Sequence, residues 1–113
     1  MASTSIAQVV EDLTDVLDGV VPTVYDHEPT GPVDRSASVI WTGMDADFFS
    51  LTVRLYVKVS DARAAQVALY ELVQDTEAAM TSQFIVGDWT VEYDPTAQVL
   101  MAVMATRAGR EDQ

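Results

Sequence analysis

"FFSLTVRLYVKVSDARAAQVALYELVQDTEAAM", residues 48–80, changes its hydrophobic period once, and that change decides the fold. Over 48–60 the period is two. Phe49, Leu51, Val53, Leu55, Val57 and Val59 alternate with Phe48, Ser50, Thr52, Arg54, Tyr56 and Lys58. That pattern predicts a strand with one wholly apolar face and one mixed face. Ser60 or Asp61 then supplies a helix cap. From about 61 to 81 the apolar stripe Ala65, Ala68, Leu69, Leu72, Val73, Thr76, Ala79 and Met80 predicts a helix. The small residues Ala65 and Ala68 let it approach a sheet closely. A strand leading directly into a helix that returns over its apolar face is the expected centre of the domain.

The flanks extend this reading. Upstream, Ile6, Val9, Val10, Leu13, Val16 and Leu17 predict an amphipathic helix over 5–18. Ser3, Thr4 or Ser5 is its cap, Glu11, Asp12, Asp15 and Asp18 lie on its polar face, and Gly19 is its stop. Val20, Val21, Val24 and Tyr25 suggest a short extended segment, and Pro22 gives it an edge or irregular position. Residues 36–42, "SASVIWT", predict a strand joined to 48–60 through the turn "GMDAD". Downstream, 84–94 and 97–107 predict a second hairpin turned at Asp94–Thr96, with Pro95 setting φ. Residues 107–113 are expected to be a flexible tail on a single domain of 1–113. The order α-β-β-β-α-β-β implies an α+β fold. Its antiparallel or mixed sheet has four to five strands, with two helices packed on one face.

Composition narrows the function classes. The chain of 113 residues has no cysteine, which excludes disulfides, thiolate nucleophiles and Cys-based zinc sites. No apolar run is long enough to span a bilayer, and the N-terminus lacks the basic region of a signal peptide. Eighteen acidic against six basic residues leave a net charge of −12, which repels phosphate backbones and favours solubility.

The one conspicuous cluster is "YDHEPTGPVD", residues 25–34, which holds the only histidine, His27, among Asp26, Glu28 and Asp34. Neighbouring residues in an extended loop point alternately and do not converge on one ion. A second imidazole and the regular spacing of a calcium loop are both missing. No metal, cofactor or catalytic residue is expected. No G-x-S-x-G elbow and no phosphate-binding glycine pattern occurs. Arg54 and Lys58, alternating with Phe48 and Tyr56, could form a single-strand nucleic-acid platform. The plainer reading is an exposed or subunit-covered face with both cations paired to carboxylates. Trp41, Phe48, Tyr56, Trp89 and Tyr93 exceed what one small helix-on-sheet layer needs, which points to a contact surface.

Taken in order, the acidic first helix, "VPTVYDHEPTGPV", the hairpin, "VSDARAAQVALYELVQDTEAAM" and the closing hairpin resemble a known family. Over residues 5–106 the chain resembles the tail terminator and tail-completion proteins of long-tailed bacteriophages. The carrying features are Val24-Tyr25…Pro29…Pro32 and the helix entered directly from the long strand. Head-completion and head–tail joining proteins of the neck share much of the layout. The resemblance implies a homo-oligomeric ring, typically a hexamer, that caps the tail tube, ends its polymerisation and meets the head connector. It implies a virion location after assembly in the host cytoplasm, DNA passing without specific binding, no membrane and no catalysis. Expected subunit or tube contacts are Tyr25, His27, Pro29, Pro32, Trp41, Asp45, Asp47, Arg54, Tyr56 and Lys58. The alternatives are a neck protein of the same virion and a small acidic ligand-binding domain.

Overall fold

A computed structural model describes residues 5–80 and 84–110. The elements run α1 (Ile6–Asp18), β1 (Thr23–Tyr25), β2 (Ser36–Met44), β3 (Phe48–Lys58), α2 (Ala62–Met80), β4 (Ile85–Asp94) and β5 (Val99–Gly109). The five strands form one sheet in the order β1-β2-β3-β5-β4. It is mixed: β1 pairs parallel to β2 and every other pairing is antiparallel. This is the expected α+β arrangement.

β3 is central, and its alternation is expressed without a slip. Phe49, Leu51, Val53, Leu55 and Val57 are all buried on one face. Opposite them in register stand Ala102, Met104 and Ala108 of β5, and Ala37 and Val39 of β2. Val9, Leu13 and Leu17 of α1 and Ala65, Leu69 and Leu72 of α2 close the same core. Each large side chain buried there contributes about 1.5–3 kcal/mol.

The helix ends depart slightly from expectation. Ser5 is the N-cap, its hydroxyl accepting from the Gln8 N–H at 3.2 Å; Ser3 and Thr4 lie outside the described residues. Gly19 does not adopt the left-handed cap, because its φ is −79°. Instead Leu17 O accepts from Val20 and Val21 N–H, which tightens the last turn before Pro22 ends it.

The stretch 26–35 is a crossover. Parallel neighbours cannot be joined by a tight turn, so the chain must return the length of β1 before starting β2. It does so across the sheet face opposite the helices, where Glu28 reaches Arg54 and Asp34 accepts from the Lys58 N–H.

Two strand ends differ from the sequence reading. β5 continues to Gly109, into the expected tail, because Phe48 and Phe49 at the start of β3 need Gly109 and Ala108 as partners. The Arg110 N–H then bonds to Asp47 O at 2.9 Å, and 111–113 lie outside the described residues. The second hairpin turns through 95–98 rather than 94–96. Asp94 accepts from the Thr96 and Ala97 N–H groups, and Gln98 closes the turn at φ 57°.

Two outcomes are expected. Gln98→Gly removes the steric cost of a left-handed non-glycine residue, so thermal or urea unfolding should show a gain of up to about 1 kcal/mol. Gly87 sits in the β4 bulge, and a Cβ there would lie 2.4 Å from Ala105 O. Gly87→Ala should therefore cost about 1–3 kcal/mol in the same assay.

Candidate functional site

The residues singled out in the sequence fall into three places. The first is a cleft of about 620 Å³ between α1 and the β1–β2 end of the sheet. Ile6, Val10 and Val24 form its apolar wall, with Tyr25, His27 and Trp41 at its rim. Trp41 is 47% exposed although it lies in register with buried Leu51, because the cleft separates it from α1. Its indole N–H donates to Gly43 O at 2.8 Å, across the β2 bulge. His27 meets Tyr25 edge-on, with ring centroids 5.8 Å apart. Its Nδ1 lies 3.0 Å from Asp26, and that hydrogen bond holds the exposed Asp26 carboxyl below its ordinary range.

The second place is the tip of the β2–β3 hairpin. Asp45 accepts from the Asp47 and Phe48 N–H groups at 2.8 Å each. Those two bonds, followed by Arg107 and Arg110, lower the Asp45 pKa. Arg107 also lies over the Phe48 ring, 4.9 Å from its centroid. The acidic turn is thus fixed by its own backbone and backed by cations, with Met44 exposed beside it.

The third place is the sheet face under the crossover. Tyr56, expected as an outward contact, is 3% exposed, and its hydroxyl shares a 2.9 Å hydrogen bond with buried Ser38. Pro32 is buried and Pro29 half-buried over the same face. Arg54 is held by Glu28 at 3.2 Å. Burial opposes its charge, but hydrogen bonds to Tyr56 and Glu28 outweigh that and raise its pKa. Lys58 reaches the Ala97 carbonyl at 3.3 Å rather than a carboxylate. The single-strand platform is therefore not formed: its aromatic centre is covered and its cations are engaged within the chain. Tyr25 anchors the crossover, its hydroxyl accepting from the Val33 N–H at 3.3 Å.

A fourth surface was not singled out as a unit. Tyr70 and Val67 of α2 and Val91 and Tyr93 of β4 are large apolar residues, each more than half exposed. Tyr70 and Val91 line a cleft of about 400 Å³ with Val73, Trp89 and Leu100, and Tyr93 lines a second cleft that shares Gln66 and Leu100 with it. A signal was present, since Val67 and Tyr70 are spaced i, i+3 outside the stripe that packs on the sheet. Among the described residues, no group of three His, Asp or Glu side chains is placed to hold a metal ion.

No family model and no curated protein matches the chain. Nineteen chains of solved structures do match. One belongs to the virion of a native gene transfer agent (GTA) particle. It shares 13% identity with this chain at a TM-score of 0.55, with 91% of this chain and 92% of that chain covered. At that identity the likeness is one of fold, and it extends over nearly the whole of both chains.

Proposed function

We propose that this chain is a structural protein of a phage-like virion, which forms a ring on the tail tube, ends its growth and meets the head connector. The observation that carries the reading is the fold shared, end to end, with a chain of a gene transfer agent virion. The order of elements that resembles tail terminators supports the same reading. So do exposed Trp41 at the first cleft and exposed Met44 at the hairpin tip, since a head-to-tail ring joins two different surfaces of one subunit.

Trp41 and His27 at the first cleft, with Asp45 and Asp47 at the hairpin tip, are the proposed contacts with neighbouring subunits and the tube. Pro29, Pro32, Arg54, Tyr56, Lys58 and Tyr25 serve those contacts indirectly, by holding the crossover on the sheet. A net charge of −12 gives such a ring a lumen that repels the DNA backbone. The location is the virion, with assembly in the host cytoplasm.

Native mass measurement with and without the tube protein of the same virion tests this reading. The expected result is a ring, with six copies as the foremost expectation, present with the tube protein whether or not the isolated chain is monomeric. Trp41→Ala should weaken that assembly by at least about tenfold while leaving the thermal midpoint nearly unchanged. A chain that stays monomeric and ignores the tube protein overturns the proposal. Assembly on the connector protein alone would assign the chain to the neck.

A further inference from the structure

β4 is an edge strand, and among the described residues nothing pairs with its outer side. Four consecutive residues, Thr90, Val91, Glu92 and Tyr93, are all exposed. A strand covered on one face should expose only every second residue. Here the helix-side residues Val91 and Tyr93 are exposed too, at 61% and 52%, because α2 stops short of them. The strand thus presents a free row of backbone donors and acceptors beside an apolar cleft, with acidic side chains on the far face. Such an edge attracts an added strand.

We infer that β4 is a docking edge for an extended segment of another protein, apolar on one face and cationic on the other. Apolar side chains of the added strand would enter the cleft between Tyr70 and Val91. Cationic ones would fall on the opposite face, beside Glu92. Charge selects this occupant. β4 carries Asp88, Glu92 and Asp94 and no Lys or Arg. A second copy's β4 would set carboxylates against carboxylates, which destabilises a strand pair. The other free edge of the sheet, β1, is three residues long and leads into Asp26 and Glu28, so it does not complement β4 either. This site is independent of the ring, and its test does not require assembly.

The test titrates the full chain with a capped peptide of alternating valine and lysine, read by backbone amide NMR shifts at low and high salt. A valine–glutamate peptide of equal length is the control. Shifts confined to β4 and the facing side of α2 are expected, with the cationic peptide binding at least about tenfold more tightly and losing affinity in salt. Val91→Asp should reduce binding by at least about tenfold with circular dichroism unchanged. Glu92→Lys, an exposed change that keeps the cleft, should shift the preference towards the glutamate peptide. Equal affinity for the two peptides, shifts elsewhere on the fold, or no binding overturns the inference. So does a dimer in peptide-free solution that Val91→Asp dissolves, which would give the edge to a second copy.

Discussion

The structure depends on β3 having to be covered on both faces while paired on both edges. Its apolar face is closed by two helices, which the chain supplies on either side of the β2–β3 hairpin. Its other face runs Phe48, Ser50, Thr52, Arg54, Tyr56 and Lys58, and of these Tyr56 alone is buried. The crossover 26–35 does the covering. Tyr56 requires it, because a tyrosine buried to 3% with Ser38 as hydroxyl partner needs apolar cover over its ring. Pro32 lies in that cover, and Glu28 with Asp34 ties the loop to the Arg54 side chain and the Lys58 backbone.

Local patterns carried most of the architecture. The alternation of 48–59, the stripe of 61–80 and the amphipathic helix of 5–18 each lie in consecutive residues, so side-chain period alone revealed them. What stayed hidden was non-local. Nothing in "VPTVY" says that it pairs parallel to 36–38, and only that pairing explains why the acidic loop is long and stiff. Tyr56 read as exposed because its strand neighbours Arg54 and Lys58 are polar. Its burial comes from a segment more than twenty residues away. β5 read short for the same reason: Ala108 and Gly109 have no strong strand signal of their own, and β3 imposes one on them.

The candidate surfaces were legible in part. Trp41 and the "GMDAD" turn stand out in the sequence and are exposed in the fold. Arg54 and Lys58 stood out equally, but a cation's freedom depends on neighbours that residue types do not show. The cleft beside β4 was concealed by its own regularity. Val91 and Tyr93 alternate as buried residues would, and only the width of α2 against the width of the sheet leaves them uncovered.

The acidity of the chain has a part beyond solubility. Both free edges of the sheet end in or carry carboxylates, and neither has a cation of its own within the strand. An apolar edge of ten residues would otherwise invite the same edge of another copy. Carboxylates that stand opposite one another weaken such a pair. The apolar residues can therefore remain exposed without open-ended strand pairing among copies. The same charges that refuse an identical strand accept a cationic one, so the edge discriminates between partners through repulsion as much as through attraction. The proposed ring would use that property, since its growth would stop at a defined number of copies while a different protein still found a place to bind.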